Sequence, residues 1–310
     1  MKQPNLFLVG QPKAGTTALH QFLGQHPEIY MASIKEPHFF CQDFHQESDR
    51  FHQTQLFFDF RDEAAYLKLF AKVTQEKIAG ESSTHYLYSQ VAAQNIYNFN
   101  PEAKIIISLR EPTAFIYSLH SHFVKFIEEN EEDFLQALAL ESFRKAGKSI
   151  SPRVTTPSYL YYLEQAKYYD QVKRYYDLFK PSQIKIILFE DFKENNEGVY
   201  REILEFLQVD PNFTPEYTAI NVNKEVKFKA LNNLANNQTI KNFTKKIFSQ
   251  EFNELVRDKI IERLFWSQAP KSSLDPEIKF QLMQKLQPEV KKIAEFLDID
   301  LIKKWGYENI

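Results

Sequence analysis

The segment Gly10-Gln11-Pro12-Lys13-Ala14-Gly15-Thr16-Thr17 joins a short apolar run, Leu6–Val9, to a helical pattern in which Leu19, Phe22 and Leu23 share one face. A strand, a loop and a helix N-terminus in this order present exposed backbone N–H groups and the positive end of a helix dipole, so the segment reads as a phosphate cradle. A nucleoside-triphosphatase loop would read GxxxxGK[ST], with lysine directly after the second glycine and a hydroxyl held on Mg²⁺. Here Thr16 takes that position and the lysine stands earlier, at Lys13. At the crown of the loop its ammonium is expected over the scissile end of a bound anhydride, where it stabilises the departing phosphate without a metal. The alternative is an ordinary strand-to-helix turn carrying a surface lysine.

A second anion site is expected near Arg110. The run Ile105–Leu109 ends at this arginine, Glu111-Pro112 follows, and Ser118 stands two turns into the next helix. A guanidinium at a strand end and a helix hydroxyl can grip one phosphate from two sides. Taken singly, Arg110 could instead pair with Glu111 or Glu128, and Ser118 could be an ordinary helix serine. His120 and His122 are two residues apart on one helix and point to different faces, so a shared metal is not expected. Cys41 is the only cysteine, which excludes an intramolecular disulfide and a cysteine-based zinc site.

The elements that must hold these residues are those of an α/β protein. Apolar runs at Ile105–Leu109 and Ile184–Phe189 are followed by helical patterns over 112–128 and 192–207, the spacing of parallel crossovers. Short strands are expected at Ile29–Met31 and Ile78–Gly80, and helices over 62–71, 89–99, 134–146 and 158–179. The result is a three-layer sandwich around a central parallel sheet. From about residue 229 only helical patterns occur, near 251–267, 276–286 and 288–298, which gives one domain over 1–310 with an α/β core (1–228) and a helical C-terminal cap (229–310). The acidic run from Glu128 to Asp133 reads as a solvated turn before a helix.

Thirty-eight basic and 41 acidic residues give a formal charge of −3, too balanced for electrostatic coating of nucleic acid. Twenty-eight Phe and 16 Tyr supply ample apolar area for a core. No apolar run approaches the ~20 residues that span a bilayer. Met1–Asn5 leave no room for a secretion signal, so a cytoplasmic location is expected.

The sequence resembles the PAPS-dependent sulfotransferases, most closely the heparan-sulfate-type and bacterial branch whose loop reads PKxGTTxL. The match is Pro12-Lys13-Ala14-Gly15-Thr16-Thr17-Ala18-Leu19. It continues through His26-Pro27, Lys35-Glu36-Pro37-His38-Phe39-Phe40, Gly80-Glu81-Ser82-Ser83 and Arg110-Glu111-Pro112 to Ser118, then thins, with Phe189-Glu190-Asp191-Phe192 and Phe206-Leu207 as later counterparts. The resemblance implies a P-loop nucleotide-binding fold, PAPS as sulfuryl donor and PAP as product, with no metal. It implies that Gln11 to Thr17 hold the donor, that Arg110 and Ser118 bind its 3′-phosphate, and that a basic loop with Lys227 and Lys229 closes over it; a solvated basic loop is the plain alternative for the last two.

Sulfuryl transfer also requires a group that takes the acceptor's proton. The resemblance puts that general base at Glu36, with His38 and His85 as alternatives from other branches; without it, Glu36 would read as a salt bridge beside Lys35. Lys35, His38, His85 and Tyr86 are expected on the acceptor side. Heparan-sulfate enzymes carry lysine where Ser82 stands, a departure that counts against a glycosaminoglycan acceptor. The acceptor expected is a hydroxyl or amine of a small molecule, lipid or saccharide. Two rival readings are a P-loop kinase, because Ile184–Asp191 imitates a Walker B strand, and a non-enzymatic module that keeps only the fold.

Overall fold

The computed structural model describes residues 3–217, 224–226, 266–268 and 274–310. The apolar runs Leu6–Gly10 (β1), Ile29–Met31 (β2), Ile78–Ser82 (β3), Lys104–Leu109 (β4) and Ile184–Leu188 (β5) form one sheet in the order β2-β3-β1-β4-β5. Every pairing in it is parallel, with Leu6 opposite Gly80 on one side and Lys104 on the other. All of β1 is buried, because its side chains alternate between two apolar layers. Phe7 and Val9 join Ile105, Ile107 and Leu109 on one face, while Leu6 and Leu8 join Ile106 on the other.

The second face is covered by Leu19, Phe22 and Leu23 of Thr16–Leu23 (α1), with Ile203, Leu204 and Leu207 of the helix Asn196–Leu207. Gln42–His52 (α2), Glu63–Lys68 (α3), Ala92–Phe99 (α4) and Pro112–Lys125 (α5) supply residues to the first face. Each buried Leu, Ile or Phe contributes about 1.5–3 kcal/mol. Burial in these two layers, rather than helix propensity, therefore holds such short helices in place. The C-terminal helix Pro276–Leu297 extends the first layer through Leu282, Met283, Leu286, Val290 and Ile293.

Several elements differ from the sequence expectation. The segment expected as one helix over 158–179 is a 3₁₀ turn (Pro157–Leu160) and two helices, Tyr162–Gln165 and Tyr168–Tyr176. Its tyrosine hydroxyls bond in several directions, Tyr161 to Arg144 O, Tyr162 to Glu129, Tyr168 to Arg110 O and Tyr175 to Tyr86 O, which one straight helix does not allow. Conversely, 276–286 and 288–298 are a single helix that runs through Pro288, because one apolar stripe continues on both sides of the proline. A strand at Trp266–Gln268, antiparallel to Lys224–Val226, lies where only helix was expected; three residues carry no readable period. The acidic run is not solvated throughout: Glu129 is 2% exposed at its side chain and pairs with Arg144 at 2.8 Å. Asp133 does cap the following helix, accepting from Gln136 N.

Because the sheet is parallel, the C-terminal ends of β1, β3 and β4 lie along one edge, and the loops that leave them carry the chemistry-bearing residues.

Candidate active site

The phosphate loop leaves β1 at Gly10, where an added Cβ would lie 2.5 Å from Leu87. Gly15 adopts φ +79° and caps α1, with the rings of Phe189 and Phe192 3.2 Å from where a Cβ would stand. Lys13 is also left-handed, at φ 64°. β4 and its arginine fasten the loop from beside it. Gln11 N donates to Ser108 O (2.5 Å), Ser108 Oγ donates to Ala14 O (2.6 Å) and Arg110 Nη1 donates to Lys13 O (2.9 Å). The Arg110 guanidinium lies over the Phe189 ring, 4.8 Å from its centroid.

The charged groups that act on Lys13 are Arg110, Lys125 and Lys35, all cations. Burial first, and these cations after it, push its pKa down to about 8. A half-buried lysine acted on by an arginine and two lysines is a setting that a bound anion would stabilise.

Gln11 is an exception among the loop residues. Its N–H is engaged by Ser108 and its buried amide donates to Gln165 O (3.3 Å), so it braces the loop from behind. Ala14 and Thr16 are buried, while Pro12, Lys13, Gly15 and Thr17 are partly exposed. Ser118 is half-buried on α5. Lys227 and Lys229 lie outside the described residues.

The carboxylate centre is built by the chain leaving β2. Glu36 N donates to Ser82 O at the end of β3 (2.9 Å). Its Oε2 accepts from Thr84 N (2.7 Å), Thr84 Oγ1 approaches both carboxylate oxygens at 3.2 Å, and Lys35 Nζ contacts Oε1. Burial acts to raise the Glu36 pKa, but Lys35 and the close contact and charge of His38 together outweigh it and hold the carboxyl well below its ordinary value. Glu36 and His38 both have positive φ, 60° and 55°, conformations that cost of order 1–3 kcal/mol each and persist only where the surroundings impose them.

His38 Nε2 stands 3.2 Å from Glu36 Oε2 without the alignment of a hydrogen bond. His85 is 9% exposed, stacks on Tyr159 at 3.8 Å, and neither of its ring nitrogens has a partner. Burial, then the charge of His38, push its pKa down to about 3, so the ring is neutral at pH 7. Tyr86, expected on the acceptor side, is a core residue with no exposure, accepting from Phe40 N. The ligand atoms of Glu36, His38 and His85 lie within 4.8 Å of one another, a donor set able to hold a divalent cation that the sequence did not reveal.

Lys35, Glu36, His38 and His85 line a cavity of about 320 Å³. Its walls are Phe57, Phe58, Phe60, Phe123 and Tyr159, with His122, Asp59 and Glu128 also at its surface. None of the phenylalanines was singled out from the sequence, because they sit on irregular chain or inside a helix with no motif around them. His20 was also missed: its Nδ1 lies 2.9 Å from Ser82 Oγ, and burial first, then Lys35, lowers its pKa to about 4. The carboxylates of the Walker-B-like strand are engaged elsewhere. Glu190 accepts from Glu111 N and Trp305 Nε1, and Asp191 pairs with Lys304.

Among the described residues no helix is long and apolar enough to cross a membrane. Residues 3–284 match the family model described as "Sulfotransferase domain". Carbohydrate sulfotransferase 15 of Mus musculus is 26% identical over 254 residues, covering 67% of this chain and 44% of that protein. The bifunctional heparan sulfate N-deacetylase/N-sulfotransferase 3 of Homo sapiens is 27% identical over 215 residues, covering 68% of this chain and 23% of its own length. The chain thus spans less than half the length of these curated relatives. A sulfotransferase from Alicyclobacillus acidocaldarius has a similar structure, with TM-score 0.72 and 27% identity over 99% of this chain and all of that one. With its family model matched over most of its length and its fold shared with a solved sulfotransferase, the chain belongs to the sulfotransferase domain family.

Proposed function

We propose that this chain transfers a sulfuryl group from PAPS to a hydroxyl or amine of an acceptor bound in the aromatic cavity. The observation that carries this reading is the union of two anion-binding elements, Arg110 bonded to the crown of the phosphate loop at Lys13, beside a carboxylate centre at Glu36. The residues present fit the donor. The left-handed turn at Lys13 and Gly15 opens α1 toward an anhydride, and burial, followed by the neighbouring cations, depresses the pKa of Lys13, a cost that a bound anion would offset.

PAPS supplies an activated sulfuryl group on a phosphate leaving group. In the transfer, the acceptor oxygen or nitrogen forms a bond to sulfur as the bridging sulfur–oxygen bond breaks, and that bond's electron pair leaves on the 5′-phosphate oxygen. Lys13 stabilises the charge growing on this oxygen. Glu36, held ionised, takes the acceptor's proton, and Thr84 fixes the direction of its carboxylate. Arg110 and Ser118 hold the 3′-phosphate that distinguishes PAPS from ATP. The engagement of Glu190 by Trp305 and of Asp191 by Lys304 favours this reading over a P-loop kinase.

A thermal-shift comparison tests it. PAP in the presence of EDTA is expected to raise the melting temperature, because a ligand that binds only the native state stabilises by mass action. Stabilisation by Mg·ATP alone would replace this reading with the kinase.

A further inference from the structure

Resting on the sulfuryl-transfer reading above, we infer that the acceptor is a compact, uncharged ring compound bearing a hydroxyl, an aryl or cyclic alcohol, and not a polyanionic chain. The cavity next to Glu36 is about 320 Å³, at the lower end of small-molecule sites and suited to a single ring. Phe58, Phe123 and Tyr159 are 8%, 3% and 3% exposed, so the inner wall is already packed, while Phe57 and Phe60 are half-buried at its surface. Flat apolar rings on several sides favour a flat or cyclic apolar body.

The wall is also fixed. Arg61 forks onto Asp49 at 2.8 and 3.0 Å and donates to the carbonyls of Phe58 (2.7 Å) and Phe57 (3.1 Å), which pins the loop that carries these rings. A pinned aromatic wall selects by shape more than a mobile loop does.

Charge argues the same way. Among the described residues Lys35 is the one lysine or arginine on the cavity surface, and Glu36 already pairs with it. A sulfated or uronate-bearing chain would bring several anions to one lysine that Glu36 already engages. The polar requirement is instead for one hydroxyl. Glu36 stands ready to accept its proton, and the unpartnered, nine-tenths-buried His85 faces the same cavity with one N–H to donate and one nitrogen to accept. The remainder of the acceptor meets rings.

The test uses benzyl alcohol as acceptor and a sulfated heparan-type hexasaccharide as rival. Saturation-transfer NMR is expected to show benzyl alcohol bound whether or not PAP is present, and PAP release from PAPS is expected at least about 10-fold higher in kcat/KM than with the hexasaccharide. Phe57→Ala and Phe60→Ala are expected to raise KM for benzyl alcohol about 5–30-fold, with PAP-induced thermal stabilisation unchanged as the check on folding. Turnover of the hexasaccharide in preference overturns the inference. So does benzyl alcohol that binds to PAP-competent protein without being turned over, or whose binding ignores both phenylalanine variants. If benzyl alcohol binds in a wall-dependent manner but PAP does not bind, the transfer reading falls and the occupant assigned to the cavity stands.

Discussion

Arg110 donates from Nη1 to the carbonyl oxygen of Lys13 across 2.9 Å, which makes the end of β4 and the crown of the phosphate loop one unit. Removing the guanidinium therefore takes away a brace of the loop together with the proposed phosphate partner. Arg110→Ala is expected to weaken PAP about 10–100-fold, with Arg110→Lys intermediate because a point charge replaces a fork. Calorimetric titration of the three proteins measures this, and equal affinities would remove Arg110 from the donor site.

The burial of Lys13 carries a stability cost. Burial, with Arg110, Lys125 and Lys35, lowers its pKa in the native state to about 8, whereas an unfolded lysine keeps 10.5. Below pH 8 both states are protonated and the native state bears the full cost of the buried charge. Between pH 8 and 10.5 the unfolded state binds more protons, so this residue's contribution to stability rises with pH. Lys13→Met is expected to stabilise the free protein at pH 7 by on the order of 1–3 kcal/mol and to abolish that rise, while turnover falls about 10²–10³-fold. Urea denaturation at pH 7 and pH 10 decides; a variant less stable at pH 7 would mean the ammonium has a compensating partner.

Glu36→Gln keeps the shape of the side chain and removes its basicity. Turnover is expected to fall about 10²–10⁴-fold with PAP affinity unchanged. Near-normal turnover would transfer the proton-accepting role to His38 or His85.

The Arg144–Glu129 pair is buried, with side chains 1% and 2% exposed and a 2.8 Å contact. Arg144 also donates to Leu160 O and Ser149 O, and Tyr162 donates to Glu129, so the pair anchors the segment that brings Thr155 and Tyr159 to the cavity. Arg144→Met is expected to cost about 3–5 kcal/mol, because it leaves Glu129 charged and buried without a partner. A loss under 1 kcal/mol in urea denaturation would show that the pair is not what holds this segment.

The sheet and the phosphate loop were legible in the sequence because their signals are local. Leu6–Val9 is a continuous apolar run, and Gly15 sits where the chain must turn left-handed into α1. The aromatic wall was not legible. Phe57, Phe58 and Phe60 have no period, and what fixes them is Arg61 reaching back to Asp49 on another element. Glu129 looked like part of a solvated run for the same reason: its partner Arg144 is fifteen residues on, beyond any helical pairing distance. The tyrosines of 158–179 suggest one helix by composition, yet the hydroxyls of Tyr161, Tyr162, Tyr168 and Tyr175 each meet a different backbone or carboxylate partner, and the chain breaks at Tyr161 and Lys167. Lys13 and Glu36 could be named from the sequence, but the left-handed backbone that aims both of them could not.

The proposed second anion site, Arg110 with Ser118, reads the 3′-phosphate of the donor. Calorimetric titration of PAP against 5′-AMP in EDTA tests it directly, because the two nucleotides differ only in that group. Binding of PAP at least about 10-fold tighter than 5′-AMP, without Mg²⁺, is the predicted result. Equal affinities, or PAP binding only with Mg²⁺ present, would contradict it.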